Sequence, residues 1–269
     1  MIPYVDIAAQ HAPLKEKLLA AVAAVIDSGH FILGPRGEEF EKRFAALCGV
    51  DHAVAVHSGT DALILALRTV GVAAGDEVIT APNSFISTAS SIKIVGATPV
   101  FVDVGEDYNL DAGKLEAAVT DKTKAILPVH LTGQTADMDP ILAVADKHNI
   151  AVIEDCAQAV LASNGGRRSG SMGTLGCFSL HPLKTLNACG DGGVLTTNDK
   201  KLADRVRLLR NMGLKSRDEC VEWSANSRLD EVQAAMLLVK LDCLEAWTKK
   251  RQKNAAMYRE GLAGIKGIT

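Results

Sequence analysis

The residue best suited to covalent chemistry is Lys184, in the stretch C-F-S-L-H-P-L-K-T-L-N-A-C-G-D-G-G over residues 177–193. It stands between an apolar run typical of a strand and a glycine-rich turn, with Pro182 just before it and apolar Leu183 and Leu186 beside it. Partial burial of an ammonium group lowers its pKa and makes the amine a better nucleophile. The pattern therefore favours an imine-forming lysine, and a simply solvated lysine is the alternative.

Asp155 is the second candidate, because it ends the apolar run A-V-I-E-D over residues 151–155. A carboxylate there either caps the following segment or keeps a pyridine nitrogen protonated, as a cofactor ring that accepts electrons requires. A sheet can bring Asp155 and Lys184 to one such ring.

The stretch H-S-G-T-D-A-L over residues 57–63 marks a place where a strand ends and a helix begins. Helix N-termini present free N–H groups, so this is a candidate phosphate cradle built by Ser58, Gly59, Thr60 and Asp61. An ordinary N-cap by Ser58 or Thr60 is the alternative. We expect the backbone amides and the Thr60 hydroxyl to matter most, since the charge of Asp61 repels phosphate.

Two further residues suit the same pocket. Phe85 follows a predicted strand end, where its ring is expected either to stack on a cofactor or to fill the core. Ser179 lies five residues before Lys184 and is a second hydroxyl for the phosphate.

These residues are placed by an alternation of short apolar runs and helical patterns, which predicts an α/β fold with a mostly parallel sheet covered on both faces. Ligands of such sheets bind at the carboxyl ends of the strands. The predicted strands are Ala53–Val56, Glu77–Thr80, Pro99–Val104, Ala125–His130, Ala151–Asp155, Cys177–Leu180 and Val194–Thr197. The predicted helices cover 14–28, 40–48, 60–70, 85–95, 111–119, 137–148 and 201–210, with a last long helix from Leu229 to about Leu262.

Composition excludes several classes. With 48% hydrophobic and 23% charged residues the chain is typical of a globular protein, and its net charge of −3 gives no general attraction for nucleic acid or an anionic membrane. No apolar window is long enough for a membrane span, and no signal peptide is apparent. The six cysteines show no metal-ligand spacing, so we expect buried free thiols, no metal site and a cytoplasmic location.

Taken together, these stretches resemble the DegT/StrS-type sugar aminotransferases, pyridoxal-phosphate enzymes that aminate nucleotide-linked keto-sugars. The resemblance runs from Tyr4 to at least Leu244, and the order and spacing of its motifs make it specific. The motifs are G-H-F-I-L-G-P (29–35), S-G-T-D-A-L (58–63), G-A-T-P-V-F-V-D-V (96–104), H-L-T-G-Q-T-A-D-M (130–138), E-D-C-A-Q-A (154–159), F-S-L-H-P-L-K (178–184), G-D-G-G (190–193) and N-S-R-L-D-E-V-Q-A-A (226–235).

The resemblance implies a fold-type I transferase with a mostly parallel seven-stranded sheet. It implies that Lys184 forms a Schiff base with pyridoxal 5'-phosphate and that Asp155 pairs with the ring nitrogen. It further implies that Phe85 stacks on the ring, that Gln158 lies beside the 3-hydroxyl, and that Ser58, Gly59, Thr60, Asp61 and Ser179 surround the phosphate. Asn226 is expected to reach the phosphate from the other subunit of a homodimer.

The implied reaction is transamination of a nucleotide-linked keto-sugar by an amino acid, glutamate in most relatives. Alternatives are a transaminase of carbocyclic ketones, as in cyclitol or aminobenzoate synthesis, and a non-catalytic cofactor-binding or regulatory protein. We expect residues 1–228 to form the large cofactor-binding domain and residues 229–269 the linking helix and the start of a small C-terminal domain that is largely missing. The sugar, the nucleotide and the stereochemistry are left open.

Overall fold

The computed structural model describes residues 5–267, so Tyr4 and the outer ends of the two expected domains lie outside the described residues. Its helices and strands alternate along most of the chain. The α-helices are α1 (Ile7–His11), α2 (Lys15–Ser28), α3 (Pro35–Cys48), α4 (Gly59–Thr69), α5 (Ile86–Ile94), α6 (Leu115–Ala118), α7 (Met138–His148), α8 (Lys200–Arg210) and α9 (Glu231–Leu262). The strands are β1 (His52–Val56), β2 (Glu77–Thr80), β3 (Thr98–Phe101), β4 (Thr123–Leu127), β5 (Ala151–Asp155), β6 (Ser163–Asn164), β7 (Arg167–Arg168), β8 (Leu175–Ser179), β9 (Gly193–Thr197), β10 (Leu214–Ser216) and β11 (Glu219–Cys220).

Seven of these strands form one sheet in the order β1-β9-β8-β5-β4-β2-β3. Strands β3, β2, β4, β5 and β8 run parallel, whereas β9 is antiparallel to both of its neighbours, β8 and β1. The predicted mostly parallel, seven-stranded sheet is confirmed. The remaining strands form two short hairpins, β6-β7 and β10-β11.

Helices cover both faces of the sheet, as the apolar strands require. Alternate residues of the strands point to opposite sides: Val54 and Leu195 pack with α4, α5 and α8, while Ala55 and Val194 pack with α3 and α9. A third cluster lies under α7 at the other end of the second face. The core is therefore a three-layer arrangement whose central strands are buried on both sides, while the edge strand β3 contains no buried residue.

The predicted helix ends are close to the observed ones where a capping residue marks them. Helix α3 begins at Pro35 rather than at Phe40, because proline fits the first helical position. It ends at Cys48 and is capped by Gly49, which has a left-handed φ of 70°. Asp199 caps α8 by accepting from the amides of Lys201 and Leu202.

Two predicted strands are shorter than expected, and one predicted helix is broken. The strand predicted over 125–130 ends at Leu127, since Pro128 has no N–H for the ladder, and pairing resumes only as a single bridge at Val129. The strand predicted over 99–104 ends at Phe101. The helix predicted over 111–119 is a 3₁₀ turn over Ala112–Lys114 followed by the single turn α6.

The long helix α9 has two different halves. Its first half packs against α2 and α3 and contains all of its buried residues, the last of which is Leu244. From residue 249 onward every described position is exposed. Within residues 5–267, no helix combines the length and apolar character needed to cross a membrane.

Candidate active site

A cavity of about 430 Å³ lies at the carboxyl ends of β5 and β8, beside the first turns of α4 and α5. This is the edge of the sheet at which the sequence predicted ligand binding. Eight of the ten predicted site residues line the cavity: Ser58, Gly59, Thr60, Phe85, Asp155, Gln158, Ser179 and Lys184. Asp61 and Asn226 do not.

Lys184 is carried by a turn that follows β8. Its backbone N–H donates to the carbonyl of His181 (2.8 Å), and the amide of Leu183 donates to the ring nitrogen Nδ1 of the same histidine (3.2 Å). The side chain is half-buried, and this burial lowers the pKa of the amine, an effect opposed by the negative charge of Asp155. The expected desolvation of Lys184 is therefore present, and it makes the amine more nucleophilic at neutral pH.

The source of this desolvation differs in part from the expectation. Leu186 is completely buried, but Leu183 is 57% exposed at the cavity wall. Of the two apolar neighbours expected to shield Lys184, only Leu186 is therefore buried.

Asp155 ends β5 and is 4% exposed. Its Oδ2 accepts a hydrogen bond from the Thr88 hydroxyl (2.8 Å) and its Oδ1 from the amide of Ala157 (3.1 Å). Burial raises the pKa of this carboxyl, while those two hydrogen bonds and the nearby His130 and Lys184 hold it down. The two interpretations left open by the sequence are thus compatible, since one oxygen caps the local turn while the side chain faces the cavity.

The start of α4 has the features of an anion cradle. Ser58 is the N-cap, its hydroxyl accepting from the amide of Asp61 (3.0 Å), and the helix leaves the amides of Gly59 and Thr60 without intrahelical acceptors. A Cβ on Gly59 would lie 2.6 Å from the Cβ of Ser179, so only glycine allows this turn to pack directly against the Ser179 hydroxyl. The Thr60 hydroxyl donates to Ser87 at 2.9 Å.

The Asp61 side chain does not line this cavity. Its carboxylate accepts a hydrogen bond from the Ser227 hydroxyl (2.6 Å) and lines a separate depression. Asn226, next to Ser227, is exposed and forms a bridge with Asn211. Both residues therefore lie outside the cavity in the single chain.

Phe85 and Gln158 stand at the rim. Phe85 is 73% exposed and occupies the N-cap position of α5, so it is not a core residue, which was the alternative to ring stacking. Gln158 is also exposed and follows the turn that Asp155 caps. Both side chains are available to a bound molecule.

The sequence reasoning missed a set of hydroxyls that lines the cavity. The Ser84 and Thr88 hydroxyls form a hydrogen bond (2.7 Å), and the Thr88 hydroxyl donates in turn to Asp155. Ser87, His181 and Asp191 also line the cavity. The signal was the hydroxyl-rich run over residues 84–91, which opens α5 directly after β2.

His130, Glu154 and Cys156 form a buried cluster in which the potential metal-ligating atoms lie within 4.8 Å of one another. Glu154 accepts from His130 Nε2 (2.9 Å) and from the amides of Gly170, Met172 and Gly173 (2.7–2.8 Å). His130 Nδ1 accepts from the amide of Ala136, so its proton is on Nε2. The Glu154 oxygens therefore bind the backbone of residues 170–173 and fix the loop that precedes β8.

The thiols differ in part from the expectation. Cys48, Cys156 and Cys177 are buried, and burial raises their pKa values. Cys189 and Cys220 are exposed, and Cys243 is intermediate, so only half of the predicted buried thiols are buried.

The residues present fit a phosphorylated pyridine aldehyde. Asp155 is a buried carboxylate that receives hydrogen bonds only from neutral donors among the described residues, which leaves its charge available to a protonated ring nitrogen. Lys184 supplies an amine for the aldehyde, and the start of α4 supplies amides and hydroxyls for a phosphate.

Comparisons with known proteins agree with this chemistry. The chain is 46% identical, over 99% of its length and 71% of the relative, to a dTDP-3-amino-3,4,6-trideoxy-alpha-D-glucose transaminase of Streptomyces venezuelae. The solved structure of S. venezuelae DesV, in complex with a ketimine intermediate, superimposes with a TM-score of 0.96 at 46% identity, over 99% of this chain and 72% of that one. NtdA from Bacillus subtilis, solved with the cofactor PMP, gives a TM-score of 0.93 at 30% identity, over 98% of this chain and 61% of that one.

The model of the DegT/DnrJ/EryC1/StrS aminotransferase family matches residues 13–269. The chain therefore belongs to the DegT/DnrJ/EryC1/StrS family and is a pyridoxal-phosphate-dependent aminotransferase.

Proposed function

We propose that the protein transfers an amino group from an amino acid, glutamate in the first instance, to a nucleotide-linked keto-sugar and so forms an amino sugar. The observation that carries this proposal is that the Lys184 amine and the Asp155 carboxylate face one cavity beside the start of α4. The sugar-nucleotide substrate of the Streptomyces venezuelae relative supports the choice of substrate class.

In this proposal Lys184 Nζ is the covalent attachment point of pyridoxal phosphate. When bound, the cofactor supplies a ring that withdraws electrons from the α-carbon of the donor. As a free amine, Lys184 Nζ would accept the proton from the donor's α-carbon and deliver it to the C4′ carbon of the cofactor. Its lowered pKa supports this use, since a general base must be unprotonated near neutral pH.

Asp155 keeps the ring nitrogen protonated. Its burial between β5 and α5 strengthens this interaction, because charges attract more strongly away from water. Phe85 stacks on the ring from the rim of the cavity, and Gln158 lies beside the 3-hydroxyl.

The phosphate is held by Ser58, Gly59, Thr60 and Ser179. We propose that Asp61 contributes only through its backbone, since its carboxylate is bonded to Ser227. Asn226 reaches the phosphate of a second copy in a homodimer; its exposure and its absence from the lining of its own chain's cavity support this role.

The domain division is also a proposal, with residues 1–228 as the cofactor-binding unit and 229–269 as the linking helix and the beginning of a small domain. Two features of α9 support this division. Its first half packs on α2 and α3 of the cofactor-binding unit, and its second half is exposed. We also propose a cytoplasmic location, in keeping with six cysteines that form no disulfide among the described residues.

The proposal is tested in two half-reactions. Protein loaded with pyridoxal phosphate is mixed with glutamate alone, and release of 2-oxoglutarate and the change in cofactor absorbance are followed. A panel of nucleotide keto-sugars is then offered to the aminated form. We expect one equivalent of 2-oxoglutarate per site, transfer to at least one keto-sugar and ping-pong kinetics.

The alternatives give different results. Release of 2-oxoglutarate followed by transfer only to a carbocyclic ketone indicates a cyclitol or aminobenzoate transaminase. Cofactor binding without any 2-oxoglutarate indicates a binding or regulatory protein. A sequential kinetic pattern that requires a ternary complex contradicts the proposed mechanism.

A further inference from the structure

Lys240 is a completely buried lysine on α9, outside the cavity described above. Its Nζ donates to the backbone oxygen of Asn187 (2.8 Å) and to the side-chain oxygen Oδ1 of the same residue (3.0 Å), and it lies 3.4 Å from the sulfur of Cys189. No aspartate or glutamate within residues 5–267 forms an ion pair with it. Burial lowers the pKa of this amine, so its uncharged, nucleophilic form is favoured more than in an ordinary lysine.

Cys189 is held firmly beside this amine although it is exposed to solvent. Its backbone N–H donates to Gln233 Oε1 (2.9 Å), which ties the residue to the first half of α9. The thiol is free. The sulfur is therefore open to a small oxidant from the solvent side and to the Lys240 amine from the protein side.

We propose that Cys189 and Lys240 are a modification site in which a peroxide converts the pair into a covalent sulfur–nitrogen cross-link. In the first step the Cys189 sulfur attacks one oxygen of hydrogen peroxide, the O–O bond breaks, and hydroxide leaves and becomes water with the thiol proton. The sulfur is oxidised to a sulfenic acid and the peroxide is reduced.

In the second step the lone pair of Lys240 Nζ attacks the same sulfur. The S–O bond breaks, and the hydroxyl group leaves as water with one proton from the nitrogen. The pair loses two hydrogen atoms in total, and a small dithiol reverses the change by reducing the S–N bond to the thiol and the amine while it forms its own disulfide.

The cross-link would alter the support of the segment that carries Lys184. Asn187 Nδ2 donates to the backbone oxygen of Lys184 (3.1 Å), and Lys240 holds Asn187 in turn. Once bonded to sulfur, Nζ keeps one hydrogen and cannot donate to both Asn187 oxygens. The inference itself concerns only the chemistry of the pair and does not depend on the proposed function.

The chain provides an internal control in Cys220, which is also exposed and free. Its sulfur contacts the backbone oxygens of Met212 (3.6 Å) and Glu222 (3.4 Å), and no amine within the described residues lies at hydrogen-bond distance from it. Peroxide reaches Cys220 as it reaches Cys189, but without a neighbouring nucleophile.

The test is peptide mapping of the folded protein after treatment with hydrogen peroxide, blocking of remaining thiols with iodoacetamide, and digestion with trypsin. We expect peptide 185–200 joined to peptide 229–249, with no cleavage after Lys240 and with a mass two hydrogens below the sum of the two peptides. Dithiothreitol should release both peptides. A disulfide to Cys243 has the same mass change but leaves Lys240 cleavable, so it would appear as 185–200 joined to 241–249.

Two controls fix the interpretation. Lys240→Arg keeps a buried donor but offers no amine, because the guanidinium stays protonated, and it should lose the cross-link entirely. Wild-type protein unfolded in urea before peroxide treatment should lose it as well. Three results would overturn the proposal. They are unlinked sulfinic or sulfonic acid at Cys189 with normal cleavage after Lys240, a disulfide between Cys189 and Cys243, and a linked pair that retains an oxygen atom between the sulfur and the nitrogen.

Discussion

Replacing Thr88 with valine tests whether the hydrogen bond from the Thr88 hydroxyl keeps the Asp155 carboxylate ionised. Valine keeps the shape of threonine and removes the hydroxyl that donates to Asp155 Oδ2 at 2.8 Å. Both residues are buried, so solvent does not replace the lost donor. A hydrogen bond to a buried charged group contributes about 1.5–3 kcal/mol, and each ~1.4 kcal/mol is a factor of ten. We therefore expect the glutamate half-reaction to slow by about ten- to a hundredfold if the ring nitrogen depends on ionised Asp155.

The pH profile gives this prediction a second readout. Burial already raises the pKa of Asp155, and the Thr88 hydrogen bond lowers it, so loss of that bond raises the pKa further. The rate requires the ionised form and falls as the pH falls through this pKa. The acid limb of the profile should therefore move to higher pH in Thr88→Val.

The assay is a single-turnover measurement of cofactor absorbance after mixing with saturating glutamate, over a range of pH. Thr88→Ser is the matched control, because it retains the hydroxyl and should keep both the rate and the acid limb close to wild type. Urea unfolding of each variant separates local effects from loss of fold. A Thr88→Val protein with an unchanged rate and an unchanged acid limb would refute the role assigned to this hydrogen bond.

Two other changes test the surroundings of the site. Gly59→Ala should weaken pyridoxal phosphate binding by roughly tenfold or more, because a Cβ there would lie 2.6 Å from the Cβ of Ser179. The control Gly261→Ala, on the exposed half of α9, should leave the affinity unchanged. Fluorescence titration of the cofactor measures both variants, and equal affinities would count against the cradle. Glu154→Gln replaces an acceptor of four hydrogen bonds by a group that presents N–H to some of those donors, and it should lower the free energy of unfolding by about 3 kcal/mol or more. Urea denaturation measures this, and a loss below about 1 kcal/mol would show that the cluster does not hold the loop.

The sequence was sufficient to predict the seven strands of the large sheet, because such strands are short and mostly apolar, but not the two short hairpins. The bounds of β2 and β5 agree with prediction, as do the C-terminal ends of α3 at Cys48 and of α8 at Arg210. Strand direction was harder to predict. Every residue of strand β9 is buried, yet β9 runs antiparallel to both β8 and β1, after the segment between β8 and β9 that contains Lys184.

Asp155 and Lys184 could be predicted as lining one site because each is recognisable by its residue type and by its place at or after the end of an apolar strand. The hydrogen bond between Thr88 and Asp155 could not be predicted. Thr88 follows β2 in the chain, β2 and β5 are separated in the sheet by β4, and no local sequence pattern indicates how close the two residues lie. The orientation of Asp61 depended on Ser227, which is far away in the sequence. The roles proposed for all of these site residues, with those of Gln158 and Asn226, stay predictions.

The most direct measurement of the central claim is the identity of the residue that carries pyridoxal phosphate. The loaded protein is reduced with borohydride, digested and mapped by mass spectrometry, with Lys184→Ala treated in parallel. We predict that the reduced cofactor is found on Lys184 alone and that the variant, still folded by circular dichroism, carries none. Reduced cofactor on another lysine, or on the Lys184→Ala protein, would contradict the assignment of Lys184.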